Sequence, residues 1–83
     1  MSEIYSLNDI NPGEKAKVLQ LLSSGSIRRR LLDIGLIENT EIECIGKSPS
    51  GDPTAFLIRG AVIAIRSEDL KNILIYPENS KER

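Results

Sequence analysis

The most conspicuous chemical feature of the chain is a run of three arginines, Arg28-Arg29-Arg30. Guanidinium groups bind carboxylates and phosphates, so the run could contact an acidic protein surface or a nucleic-acid backbone. On a helix, however, consecutive side chains point in directions about 100° apart. Three interpretations follow: a solvated helix face, a basic contact surface for a protein partner, or a nucleic-acid contact.

Residues that usually carry catalysis or hold metals are scarce. The chain has no histidine, which excludes most metal sites, His-based triads and imidazole acid–base chemistry. Its single cysteine, Cys44, lies in an apolar pattern with no basic residue near it in sequence, as is typical of a small buried side chain. Glu41 and Glu43 could chelate a hard cation, but the outer face of a half-buried strand explains them more simply. We expect no catalytic residue, no metal ligand and no cofactor.

The arginines lie in the one segment with a clear amphipathic helical pattern, residues 26–36. The apolar residues that share one face at helical spacing are Ile27, Leu31 and Ile34. Ser26 is the expected N-cap, and Gly35 is the expected left-handed residue that ends the helix. Because two to three turns are too short to be stable alone, the helix must be held by strands around it.

Leu32 lies outside that apolar face, about 140° from its centre and adjacent to Arg28. Either the following loop covers Leu32, or Leu32 and Leu36 form an exposed apolar and basic edge. Such an edge has the composition of a partner-binding surface. On this hypothesis the helix contributes Arg28, Arg29, Leu32 and Leu36 to a protein contact.

The remaining segments read as strands and turns. Strand patterns occupy residues 16–22, 40–47, 54–66 and 73–76, the third being two strands joined by a two-residue turn at Arg59-Gly60. In the first strand, Ala16, Val18, Gln20 and Leu22 are expected on one side. Ile42 and Cys44 are expected to face the core, as are the apolar hairpin residues Phe56, Ile58, Ile63 and Ile65. Five short strands with one early helix predict a mainly β fold, a small and partly open barrel, with a sandwich or a split α+β sheet as the alternative.

Two further segments have turn and cap signals. Residues 48–53 are a cluster of Ser, Pro, Gly and Asp and therefore a surface loop, with partner contact through Gly51 and Asp52 as its second interpretation. Ser67 is the expected N-cap of a one-turn helix. We expect one domain over residues 1–77 and a frayed polar tail over residues 78–83.

Composition restricts the class of partner. The chain of 83 residues has a formal net charge of −1, so it has no global positive field to attract phosphate backbones or anionic lipids. Its few aromatic residues also leave no stacking platform for single-stranded nucleic acid. No apolar run approaches the ~20 residues that span a bilayer, and residues 1–3 do not begin a signal peptide, so a cytoplasmic protein is expected.

Several motifs together resemble the ferrous iron transport protein A (FeoA) family, over about residues 5–76. The motifs are RRLLDIGLI at 29–37, TEI at 40–42, SPSGDP at 48–53, RG at 59–60 and AIR at 64–66, preceded by Leu7 and NPGE at 11–14. The resemblance implies an SH3-like β-barrel with a helix inserted after the first strand, similar to the third domain of diphtheria-toxin-repressor-type metal regulators. It also implies an accessory role in bacterial ferrous iron uptake.

The partner that the resemblance implies is ferrous iron transport protein B (FeoB), a membrane transporter with a GTPase domain. With no His and one buried Cys expected, the chain itself is a poor candidate for strong Fe(II) binding. A protein-interaction adaptor that docks through the helix edge and the Gly51-Asp52 loop fits best. The alternatives are an SH3-like nucleic-acid-binding module and a metal-dependent regulatory module. Weak self-association of the chain is a further possibility. An enzyme is not expected.

Overall fold

In the computed structural model, residues 5–77 are described and are mainly β. The strands are β1 (Tyr5–Ser6), β2 (Lys15–Leu21), β3 (Glu41–Lys47), β4 (Thr54–Ile58), β5 (Ala61–Ile65) and β6 (Ile73–Pro77). The helices are α1 (Gly25–Asp33) and α2 (Ser67–Leu70), and a 3-10 turn follows β1 at Leu7–Asp9. No helix in this part of the chain has the length and apolar character needed to cross a membrane. The expected tail at residues 78–83 lies outside the described residues.

All strands belong to one antiparallel sheet in the order β1-β6-β2-β3-β4-β5. The expected count of five strands is wrong, because β1 pairs with β6 through Tyr5 opposite Ile75 and Ser6 opposite Leu74. A two-residue strand has no periodicity from which it could be predicted. The helix α1 therefore follows the second strand rather than the first. Since β1 and β5 lie at opposite edges of the sheet, the described sheet is open and not a closed barrel.

A bulge in β2 corrects the expected sides of that strand. Val18 lies opposite Ile75 and Gln20 opposite Leu74, so one extra residue is inserted between them. The insertion shifts the alternation by one position, since successive strand residues point to opposite faces. Leu21 is therefore buried, whereas Gln20 is exposed and Leu22 is 53% exposed, although both were expected on the side of Ala16.

The core lies between the inner face of the sheet, the apolar face of α1 and the one-turn elements. The expected burial of Ile42, Cys44, Phe56, Ile58 and Ile65 is confirmed, with exposures of 5% or less. Leu31 of α1 is buried, and Ile27, Ile34 and Ile63 are partly buried against the same cluster. The apolar helix face predicted from 3.6-residue spacing is thus the face that packs on the sheet.

The start of α1 differs from the expectation. The helix begins at Gly25, whose φ of 66° turns the chain into the first turn. Ser24 occupies the N-cap position without a side-chain hydrogen bond, and Ser26, the expected cap, lies within the helix. The backbone conformation of a glycine, rather than a serine cap, therefore starts the helix.

The end of α1 confirms the role of Gly35. Its φ is 104°, and its N–H donates to the Leu32 carbonyl at 3.0 Å. The Leu36 N–H donates to the Leu31 carbonyl at 3.1 Å, which completes a Schellman motif. The helix thus ends at Asp33, with Ile34 as its C-cap and Gly35 directly after it, as expected. The motif also reverses the chain, so Leu36 lies beside the buried end of the helix.

Candidate interaction surfaces

The exposed face of α1 has the apolar and basic composition that was expected. Leu32 is 37% exposed, and Arg28 and Arg29 one turn earlier are also exposed. The Nη1 of Arg28 donates to the Leu21 carbonyl at 3.2 Å, so this side chain also links α1 to the end of β2. We call Arg28, Arg29 and Leu32 the helix edge. Its role in binding a partner stays a prediction.

Leu36 does not belong to the helix edge, and the expectation that it is exposed is wrong. Its exposure is 0%, and it lies in the core together with Leu31. Helical extrapolation fails at this residue because the chain leaves the helix at Gly35. A side chain after a Schellman motif commonly packs back on the last turn, as Leu36 does here.

The loop at residues 48–53 is on the surface, as expected, and Asp52 organises it. One carboxylate oxygen of Asp52 accepts from the Ser67 N–H at 2.9 Å, and the other accepts from the Ser67 hydroxyl at 3.2 Å. Gly51, at a φ of 90°, donates its N–H to the Ser48 carbonyl at 2.7 Å. The expectation that Ser67 caps α2 is therefore wrong: Arg66 takes the N-cap position, and a carboxylate fifteen residues away satisfies the Ser67 N–H.

The structure separates the two expected parts of the contact site. The loop at 48–53 precedes β4, whereas the Arg59-Gly60 turn follows it. The side chain of Arg59 lies against Gly35, where a Cβ atom would overlap it. The end of α1 thus lies near one end of β4 and the Gly51-Asp52 loop at the other, and a five-residue strand spans roughly 16 Å. These residues form two surfaces rather than one site.

A third surface was missed by the sequence analysis. On the outer face of β3, β4 and β5, Val62 is 65% exposed and Ile45 is 46% exposed. Leu57 lies opposite Val62, and Ala55 opposite Ala64, on the same face. We call these five residues the apolar outer face. The sequence of residues 61–65 already indicated an exposed apolar surface. All five residues are apolar, so whichever side of this strand faces solvent must be apolar.

The two glutamates of β3 lie on the outer side of the sheet, as expected. Glu41 is directly opposite Lys17 of β2, and Glu43 is opposite Lys15. Oppositely charged residues in register across an antiparallel pair stabilise the sheet modestly. Within residues 5–77 no group of three or more His, Cys, Asp or Glu side chains is close enough to hold a metal ion.

Cys44 is fully buried and unpaired, as expected. Burial raises the pKa of its thiol above the ordinary value of 9.0. Lys47 partly opposes that rise, so the expectation that no basic residue is near Cys44 in sequence is wrong. The thiolate is the reactive species, so Cys44 is a poor nucleophile and metal ligand at neutral pH.

We expect Cys44 of the native protein to resist alkylation by iodoacetamide at pH 7.5 and to react rapidly once the chain is unfolded in urea. The native rate should rise only above pH 9, because the folded-state pKa lies above that of the unfolded chain. By the same linkage, Cys44 makes a contribution to stability that is fully present below about pH 9, the ordinary thiol pKa, and is lost as the pH rises through the folded-state pKa. Mass spectrometry of quenched samples measures the rate. Fast native labelling at pH 7.5 would show an accessible thiol.

Known proteins resemble this chain in sequence and in structure. The FeoA domain family model matches residues 5–77. The NMR structure of a FeoA-like protein from Clostridium acetobutylicum is 31% identical with a TM-score of 0.87, covering 100% of this chain and 96% of that one. FeoA of Stenotrophomonas maltophilia, crystallised with zinc and described as a prokaryotic SH3 domain protein, has a TM-score of 0.73 at 24% identity, over 84% of this chain and 87% of that one. That likeness shows that the open six-stranded sheet is SH3-like.

A longer relative is the Fe(2+) transport protein A/Fe(2+) transporter FeoB fusion protein of Porphyromonas gingivalis. It is 25% identical over 67 residues, which are 81% of this chain but only 8% of the fusion protein. The match is therefore to one small part of a much larger polypeptide. Because the family model spans every described residue and a solved FeoA-like protein superposes along the whole chain, this protein belongs to the FeoA family.

Proposed function

We propose that this protein is a cytosolic accessory factor of ferrous iron uptake that acts by binding a FeoB-type membrane transporter. The observation that carries the proposal is the fusion of the two proteins in one P. gingivalis chain. Fusion holds two domains at an effective concentration of the order of millimolar for a short linker, which suits partners that otherwise associate transiently.

The helix edge is the surface that we assign to this contact. A partly exposed leucine beside two arginines combines apolar area with charge, and arginine is enriched both at protein interfaces and among the residues that dominate their binding energy. The acidic partner surface that the arginines imply also suits a protein better than a membrane, since the net charge of −1 gives no general attraction to anionic lipid. The Asp52 loop, at the far end of β4, would be a second contact only for a partner that spans the sheet.

The test is a double substitution, Arg29→Glu with Leu32→Asp, assayed for binding to the transporter's cytosolic domain. Arg29 is preferred to Arg28 because Arg28 also bonds to the Leu21 carbonyl. We expect binding to weaken by about tenfold or more, and ferrous iron uptake to fall in cells that carry the variant. Isothermal titration calorimetry and uptake of labelled iron measure the two effects.

The matched control is Lys71→Glu, which changes an exposed charge outside the helix edge. The affinity of this control for the transporter's cytosolic domain should stay within about twofold of the unchanged protein's, because a single exposed charge contributes little to binding. The midpoint temperature of thermal unfolding should be the same for both variants as for the unchanged protein. Unaltered binding and uptake in the folded double variant would rule out the helix edge, and binding to duplex DNA that this variant abolished would favour a nucleic-acid role instead.

A further inference from the structure

Strand β5 leaves one edge of the sheet open. It is the last strand in the sheet order, and no strand among residues 5–77 pairs with its outer side. In a hairpin with a two-residue turn, the closing pair Ile58 and Ala61 is hydrogen-bonded, and bonded pairs alternate from there. Ala61, Ile63 and Ile65 thus direct their backbone groups toward β4. Val62 and Ala64 direct two N–H and two C=O groups away from the sheet.

This edge lacks the features that usually prevent strand addition. The pairing of β5 with β4 is continuous over five residues, without a bulge. The strand contains no proline and no charged residue. Proteins usually protect edges with such features or with very short strands, and the opposite edge follows that rule because β1 has only two residues. The open edge also borders the apolar outer face, to which Val62 belongs.

The charges at both ends of β5 indicate what pairs with it. Arg59 precedes the strand, Arg66 follows it, and both are exposed. Lys47 lies opposite Thr54, which is itself opposite Ile65, so the Arg66 end has a second positive charge two strands away. Two carboxylates also lie at this end, those of Asp52 and Glu68, but both oxygens of Asp52 already accept hydrogen bonds from Ser67. A second copy of this chain, paired antiparallel with Val62 opposite Ala64, would place Arg66 of each copy beside Arg59 of the other. That repulsion disfavours a dimer and favours a strand with acidic ends.

We propose that the β5 edge binds an extended segment of a partner protein. This segment has an acidic residue at each end and β-branched residues, such as alternating valine and threonine, between them. The segment adds a seventh antiparallel strand, accepting from and donating to the backbone of Val62 and Ala64. Its residues opposite these two place their side chains on the apolar outer face and extend it. This inference deepens the proposed function, on which it rests for the identity of the partner: the segment belongs to the FeoB-type transporter and is a contact additional to the helix edge.

The test uses a synthetic peptide and needs no transporter. The probe is acetyl-Glu-Val-Thr-Val-Thr-Val-Glu-amide, and its control has lysine in place of each glutamate. In a ¹⁵N-resolved NMR titration we expect the Val62 and Ala64 amides to show the largest shifts and slower hydrogen exchange. The acidic peptide should bind about three- to tenfold more tightly at low salt, and the difference should shrink as salt is added.

Two changes test the backbone pairing from both sides. Val62→Pro removes one outward N–H and none of the hydrogen bonds to β4, so this variant should bind the peptide at least tenfold more weakly. The control variant Val62→Thr should bind the peptide as tightly as the unchanged protein does. Should Val62→Pro fail to fold, a peptide N-methylated at the valines is the equivalent test and should not bind.

Equal binding of the two peptides, or undiminished binding after Val62→Pro or N-methylation, would overturn the proposal. A concentration-dependent dimer, seen by sedimentation and abolished by Val62→Pro, would also overturn the proposal, because the edge would then bind a second copy of this chain. The peptide result is independent of the proposed function: loss of transporter binding with the peptide site intact contradicts only the latter.

Discussion

Replacing Leu36 with alanine is expected to lower the free energy of unfolding by about 2–5 kcal/mol, whereas Leu32→Ala should change it by less than about 1 kcal/mol. Leu36 is 0% exposed, and Leu32 is 37% exposed although it lies only four residues earlier. Truncating Leu36 leaves a cavity among Leu31 and its neighbours, while truncating Leu32 removes contacts that are already partly solvated. Urea denaturation followed by circular dichroism measures both values.

The size of the Leu36 effect matters for any study of binding. A domain of 83 residues has a total stability of roughly 4–12 kcal/mol, so Leu36→Ala removes a large part of it. Loss of partner binding in a Leu36 variant would therefore report unfolding, whereas loss in a folded Leu32 variant would report the surface. Similar stabilities for the two alanine variants would contradict the burial of Leu36.

Gly35→Ala is expected to destabilise the protein by about 1–3 kcal/mol. The residue has a φ of 104°, which side-chain-bearing residues rarely adopt. A Cβ atom there would also overlap the Arg59 side chain. The end of α1 thus depends on the missing side chain, whereas the exposed Arg59 side chain can relieve part of the overlap by moving. Thermal and urea unfolding of the variant measure the loss.

Two controls separate the backbone effect from the overlap. Gly25→Ala changes a glycine at a φ of 66° with no atom within 4 Å of the added Cβ, so it reports the conformational effect alone. Gly35→Ala should be less harmful in an Arg59→Ala background, where the overlapping side chain is gone, and the double-mutant cycle gives the coupling. Additive effects of Gly35→Ala and Arg59→Ala would show that the Arg59 side chain moves away from the added Cβ without a cost in stability.

The sequence alone was enough to indicate the family, because the motifs that carry the resemblance are local. The residues RRLLDIGLI of α1 and its end, with the SPSGDP loop at a fixed distance, were specific enough to indicate FeoA before any fold was known. The same segment also predicted the buried face of α1 and the left-handed Gly35. Such features follow from periodicity and from the backbone freedom of glycine within about one or two helical turns.

The hairpin and the inner face of β3 could likewise be predicted from neighbouring residues. The Arg59-Gly60 turn has φ angles of 51° and 87°, as a two-residue hairpin turn requires, and Gly60 tolerates its value without strain. Ile42 and Cys44 alternate with glutamates, so one side of β3 had to be the core side. Alternation fails in β2, because the bulge after Val18 depends on pairing with β6, more than fifty residues later.

Residues distant in sequence decided the remaining features. Asp52 binds the start of α2 across fifteen residues, a contact that no spacing rule predicts. Leu36 is buried because the chain turns back at Gly35, and Val62 is exposed because nothing in the described chain covers β5. The sequence alone therefore determined the family, the helix pattern and the turn chemistry. Only the tertiary structure decided which apolar residues reach the surface, because burial depends on what the rest of the chain places over each side chain.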